Sequence, residues 1–448
     1  LVGESCEFPS KDPNTTMVMR KDLAKLEVQS GKPTPGWWPC FDYPQWLNII
    51  KKVVRKYNSD ADIVFWTYNW GWAPEEARLE LIRNLPEDIT LLVTFEMFED
   101  YERNGVKARC VDYTLAFEGP GRYFASEAKV AHERGIKLYA MSNTAGMTWD
   151  IGVIPYEPAP YQWIKRHEAL KKAQADWGLS GLMESHHFGW WPSFISDLAK
   201  ESYWSPSPEP EEICSRIARR DFSKEAEPYV LKAWRCWSEA IRFYIPTNED
   251  QYGPFRVGPS YPLNLKNIRN VPSVPYARFG NVICEPDYNP SDEAKAFNGL
   301  SLRKQIESLE KMAEKMKEGI MELTTAISLT PEGKRETGIN MKRLGEFIHC
   351  CIITTINVKK WWLLKSRIYI TSDVQEVCEV LDKMKYIAED EIRNAEAAIP
   401  LVEEDSRLGW EPSMEYICDP SRIRWKIRQV RNVIDNEIPE LRKKLTCM

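Results

Sequence analysis

The sequence predicts an α/β chain: a (β/α)-barrel portion, incomplete at its amino end, followed by an all-α helical bundle. Three observations carry this. Short apolar runs alternate with amphipathic helical stretches between about residues 46 and 200, which is the signature of βαβ units and a parallel sheet. Prolines then cluster in WSPSPEPEE (204–212). From residue 301 the apolar residues recur at intervals of three and four with no strand pattern. Fourteen of the 18 Trp precede residue 240, so the indoles go with the α/β part and not with the bundle.

Taken in order, WLNIIKKVVRKYN (46–58) reads as an amphipathic helix and DIVFWTY (62–68) as a buried strand. Pro74 opens the helix EEARLELIRNL, with acids in its first turn. ITLLVTF (89–95) is the second strand. A helix near 122–134 leads to a strand at 136–142, and a helix near 161–177 leads to one at 179–184. DYTLAFE (112–118) reads as a further strand or an extended loop, and LVGES at the start as the end of one more. Four firm strands and one or two others fall short of the eight that close a (β/α)₈ barrel. Something must therefore cover the open edge: residues 1–45 as an irregular closure, a second copy of the chain, or an amino-terminal segment upstream of Leu1, the last being the expectation preferred here.

After the proline cluster, two helices end near residue 244 and YGPFRVGPSYPL (252–263) is a loop. The bundle should hold four long helices: one striped by Leu302, Ile306, Leu309, Met312, Met316, Ile320 and Leu323, a second at 341–369, a third at 373–399, and a fourth through Ile423 and Leu441 that bends or ends near Pro439. One of Trp361 and Trp362 should face the core, since helix neighbours lie about 100° apart. The expected domains are 1–203 (barrel portion), 204–298 (linker, helices and loop packing on it) and 299–448 (bundle).

Composition narrows the function classes. Hydrophobic and charged contents of 43% and 28% are ordinary for a globular chain. A net charge of −6 argues against nucleic acid, and no apolar run spans a membrane. Phosphate loops, HExxH and Cys/His clusters are missing from the sequence, so neither a cofactor nor a metal is expected. The 11 Cys are scattered and odd in number, which reads as reduced core thiols. With no visible signal segment, this favours a cytoplasmic location.

In a parallel α/β sheet the chemistry gathers at the carboxyl ends of the strands. Those positions hold Tyr68, Asn69, Trp70 and Trp72; Glu96; Asn143 and Trp149; and Glu184, His186, Trp190 and Trp191, with Glu4 near the start. Indoles stack on the C–H faces of sugars, while amides and carboxylates bind their hydroxyls. Glycoside cleavage needs two carboxyl groups flanking the bond, and Glu4, Glu96 and Glu184 are the acids placed for it. Each also has a plain reading, as a helix cap, a surface acid or loop packing. His186 and its neighbour His187 point to opposite faces of an extended chain and so do not share a metal.

The run IKLYAMSNT…IGVIPYEPAPYQWIKRHEALKKAQADWGLSGLMESHHFGWWPS resembles the last two βα units of bacterial glycoside hydrolases of the family 20-like superfamily. SEAIRFYIP, GPFRVGPSYPL and DSRLGWEP (405–412) are similar to the carboxy-terminal region of that group. The resemblance implies that VGES is the fourth strand end, with Glu4 as general acid and Glu184 or Glu96 as its partner. It departs where the family carries Asp before that Glu, because Gly3 stands here. The expected function is a glycoside hydrolase acting on a carbohydrate end. The alternatives are a non-catalytic carbohydrate-binding barrel and, third, a scaffold docking partners through its bundle.

Overall fold

The computed structural model describes residues 39–68, 70, 75–110, 113–144, 146, 150–185, 191–265, 292–411 and 416–446. The chain divides into two compact units. One gathers the described residues within Leu1–Glu99, Glu118–Asn143 and Arg166–His186, the other those within Asp100–Phe117, Thr144–Lys165 and His187–Met448. Two segments, one holding a β-hairpin and the other the start of a helix, thus interrupt the sheet unit in sequence and go with the helical one.

The first unit is built on helix α1 (Pro39–Tyr57), strand β1 (Ile63–Trp66), helix α2 (Glu75–Arg83), strand β2 (Ile89–Thr94), helix α3 (Arg122–Glu133), strand β5 (Leu138–Met141), the later part of α4 (Pro160–Trp177) and strand β6 (Leu179–Met183). All four strands are parallel, in the order β1-β2-β5-β6. Every residue of β2, Ile-Thr-Leu-Leu-Val-Thr, is buried, as expected for a parallel strand covered on both faces. Glu75 and Glu76 open α2 and Arg83 ends it, charges that suit the helix dipole. Gly181 in β6 is required: a Cβ there would lie 2.4 Å from the Tyr139 ring. Among the described residues β1 and β6 are the edges, and the sheet does not close.

The second unit begins with a hairpin that the apolar pattern does not reveal. Strands β3 (Glu99–Arg103) and β4 (Val106–Cys110) pair across Asn104 (φ 52) and Gly105 (φ 70). Residues 113–117, expected as a strand or loop, are irregular. Helices α5 (Phe194–Ser202), α6 (Pro210–Asp221) and α7 (Glu227–Ile241) follow, then the short α8 (Asn248–Gln251) and α9 (Pro254–Val257) within the proline-rich stretch. The long helices are α10 (Asp292–Ser328), α11 (Arg335–Ile370), α12 (Val374–Glu404), α13 (Pro420–Asn432) and α14 (Ile438–Thr446). A π-helical turn at Val433–Glu437 joins the last two. Pro439 lacks the N–H that would bond back to Asp435, and the widened turn absorbs that missing bond.

Helix α10 packs on α11, α11 on α12 and α12 on α13, with α10 also lying along α7 and α14 returning to α12. Trp237 of α7 sits where Gly319 of α10 and Gly345 of α11 leave room; a Cβ at either would come within 2.5 Å of its indole. Its Nε1 donates to Met316 O at 3.1 Å. Trp361 is buried and donates to Asn264 O at 3.0 Å, while Trp362 is half-buried, as the helical angle requires.

Candidate active site at the strand ends

The ladder registers Trp66 with Leu92, Thr94 with Met141 and Met141 with Met183. It runs one step further through Thr67 N to Leu92 O (3.1 Å), Phe95 N to Met141 O (2.8 Å) and Ser142 N to Met183 O (3.0 Å). Beyond that step the chains part, and the next residues on three neighbouring strands are Glu96, Asn143 and Glu184. Strands in a sheet lie about 4.8 Å apart, so the backbones at Glu96 and Glu184, one strand between them, are about 10 Å apart.

Glu96 has a structural assignment. Its Oε2 accepts from Arg166 Nη1 at 3.0 Å, with both side chains at most 1% exposed. Arg166 also donates from Nε to Glu118 O (2.8 Å) and from Nη1 to Ser142 O (3.2 Å). A carboxylate held in a dry ion pair must change partner before it can meet substrate, and the pair therefore favours a structural role for Glu96. The sequence leaves Glu96 between a catalytic and a plain reading, and nothing near it in the chain announces the arginine of α4 that pairs with it.

Asn143 differs. Its backbone is left-handed (φ 53), a region that Asn enters more readily than other non-glycine residues. The side chain is buried, and its Nδ2 has no hydrogen-bond partner among the described residues. A buried amide donor without a partner costs on the order of 1–3 kcal/mol, and strained backbone beside an orphaned donor is the mark of a ligand position. Glu184 on the next strand is half-buried.

A buried network holds the β1 side. Thr67 Oγ1 donates to Glu127 Oε2 (2.7 Å), and Arg78 Nη1 donates to Glu127 Oε1 (2.5 Å). Tyr123 donates through its hydroxyl to Thr67 O, and the Arg78 guanidinium lies 4.5 Å from the Tyr123 ring centre. Burial pushes the Glu127 carboxyl above its usual range, against the pull of Arg78 and Thr67. The sequence signal for this charge was present: Glu127 lies on the buried face of α3 with Tyr123, Phe124 and Ala131. Glu99 accepts from Arg122 N at 2.6 Å, at the amino end of α3.

The aromatic candidates divide. Trp70 is fully buried, edge-on to Tyr43 (5.2 Å) and Phe65 (5.6 Å), which makes it a core indole and not a sugar platform. Tyr68 is half-buried and tilted against Trp66 at 4.7 Å. In the second unit, Trp191 is half-buried and edge-on to Trp410 at 6.0 Å, and its buried Nε1 has no partner among the described residues. Glu4, Asn69, Trp72, Trp149, His186 and Trp190 lie outside the described residues. Among the described residues no group of three or more His, Cys, Asp or Glu is placed to hold a metal, and no helix is long and apolar enough to cross a membrane.

No family model matches the chain, and neither does any curated protein. One similar solved structure is that of a GH138 enzyme targeting pectin rhamnogalacturonan II. The identity is 8% and the TM-score 0.49, over 86% of this chain and 47% of that one. The chain thus spans about half the length of that protein. Likeness at this score assigns no activity, and the family 20 resemblance gains no support from these comparisons.

Proposed function

We propose that the chain is a glycoside hydrolase in which Glu184 is one of the two working carboxylates and Asn143 binds a sugar hydroxyl or carbonyl through its Nδ2. Glu4 is the partner acid in this reading, as the family 20 resemblance implies. The observation that carries the proposal is the pairing on neighbouring strands of a half-buried carboxylate with a buried, strained, unsatisfied amide. Tyr68, half-buried, is the described aromatic candidate of the same unit that remains accessible enough to contact a ligand.

The test is turnover on a panel of aryl glycosides and oligosaccharides. Glu184→Gln keeps the shape but removes the ionisable group, and should lower kcat by a factor of about 100 or more while sugar binding persists. Asn143→Ala should chiefly raise KM. Wild-type turnover in Glu184→Gln would defeat the assignment. The buried Glu96–Arg166 ion pair is one specific point in favour of the non-catalytic carbohydrate-binding alternative. Saturable sugar binding without hydrolysis of any panel member would decide for it.

A further inference from the structure

The second unit contains a groove of about 690 Å³ between the carboxy-terminal half of α11 and the amino-terminal half of α12, with Arg303 of α10 at its rim. That volume falls within the range of small-molecule sites, about 300–1,000 Å³. It is far larger than an inorganic anion needs. Leu363 and Leu364 contribute apolar surface, and most of the other lining side chains are polar or charged.

The cations of the groove are unequally engaged. Lys360 pairs with Glu310 at 2.7 Å, and Arg367 pairs with Glu376. Arg303 and Lys383, on two different helices, are exposed and have neither a hydrogen bond nor an ion pair among the described residues. Two lone cations lining one cavity suit one anionic group. Beside them, Glu379 accepts from Gln375 Nε2 (3.2 Å) and Asp390 from Asn357 Nδ2 (3.2 Å) and Arg393 Nη2 (3.1 Å), each carboxylate keeping lone pairs for hydroxyl donors, and Tyr386, 68% exposed, offers a ring face.

We propose that this groove binds a carboxylated sugar, its carboxylate between Arg303 and Lys383, its hydroxyls on Glu379 and Asp390, and its C–H face on Tyr386. The groove belongs to the other unit and shares no residue with the strand-end site, so it would hold an acidic glycan through side chains that take no part in cleavage. The saccharide part of this assignment rests on the glycan-handling reading above, whereas the anionic part rests on the groove alone.

Calorimetric titration of the full chain with D-glucuronic acid, D-glucose and cinnamate separates the outcomes. Glucuronate should bind saturably with a dissociation constant of about 1 mM or below, and glucose roughly tenfold or more weakly. Arg303→Ala and Lys383→Ala should each weaken glucuronate roughly tenfold, leave glucose unchanged, and leave Glu184-dependent turnover of a small aryl glycoside intact. Tyr386→Ala should weaken both sugars. Equal binding of glucuronate and glucose, no saturable glucuronate binding, indifference to both cation variants, or binding of cinnamate alone would each overturn the proposal. Hydrolysis without glucuronate binding defeats the groove and spares the active site; glucuronate binding without hydrolysis does the reverse.

Discussion

Replacing Arg166 by Met separates a structural from a catalytic role for Glu96. The methionine keeps much of the volume but leaves the Glu96 carboxylate, 1% exposed, without its Arg166 partner and beside an apolar side chain. It also strips the donors from Glu118 O and Ser142 O. Breaking a buried pair from one side costs about 3–5 kcal/mol. With an urea slope of about 2 kcal/mol per molar, the unfolding midpoint should fall by about 2 M. Glu96→Gln should likewise destabilise by leaving the guanidinium buried, yet the folded fraction should keep its turnover. The double variant Glu96→Leu, Arg166→Met should recover stability relative to Arg166→Met, because no lone charge remains. Urea unfolding followed by circular dichroism, with turnover measured on the folded fraction, reads all three. A shift in Arg166→Met equivalent to less than about 1 kcal/mol would refute the structural account. So would a 100-fold loss of turnover in Glu96→Gln at unchanged stability, which would return Glu96 to the active site.

Two further predictions concern pH and capping. Burial, with lesser help from Arg166 and Lys171, pushes the His167 imidazole down to about 3 from its ordinary 6.5. The unfolded chain takes up a proton that the folded one refuses, so stability is full above about 6.5 and declines as pH falls from there toward 3, by up to about 1.4 kcal/mol per pH unit; His167→Gln should flatten that slope in melts at pH 5 and 7. Asp419 caps α13 by accepting from Ser421 N (2.8 Å) and Arg422 N (3.0 Å), and Asp419→Ala should cost about 1 kcal/mol in denaturant unfolding at neutral pH. Burial raises that carboxyl, but the bonds from Ser421 and Arg422 outweigh it and hold it below the ordinary 3.8. The contribution of the cap is therefore present above that value and disappears as pH falls through the lowered one.

The four parallel strands were legible because strands buried on both faces are short uninterrupted apolar runs, and β2 is buried throughout. The long helices were legible because their stripes repeat over many turns. The hairpin was not, because EDYER and VKARC are mostly charged and only partly buried. Its signal was chemical and not periodic: Asn104-Gly105 is the dipeptide that a two-residue turn with both φ positive demands. Buried charge was illegible for another reason. Glu96 and Arg166 are 70 positions apart, as are Lys359 and Asp250, which meet at 2.8 Å, by more than 100, and no local pattern announces such a partner. Trp70 failed in the opposite direction: an indole just past a strand has the same sequence context whether it meets a sugar or, as here, Tyr43 and Phe65.

The position of Glu184 shows how register decides what spacing cannot. Leu138 pairs with Leu179, an offset of 41, and carrying that offset along would set Glu184 level with Asn143. A register shift between Leu138 and Tyr139 intervenes: Tyr139 pairs with Gly181 and Met141 with Met183, so Glu184 stands level with Ser142 instead. A one-residue slip turns a side chain to the other face of the pleat. The irregularity occurs beside Gly181, the position that cannot carry a Cβ against the Tyr139 ring. The aim of the proposed catalytic carboxylate therefore depends on a glycine three residues before it. Asn143, one residue past Ser142, leaves the pleat altogether by its left-handed turn. Amide and carboxylate thus reach their places by two different departures from regular strand geometry, and neither departure is a property of the apolar pattern that identified the strands.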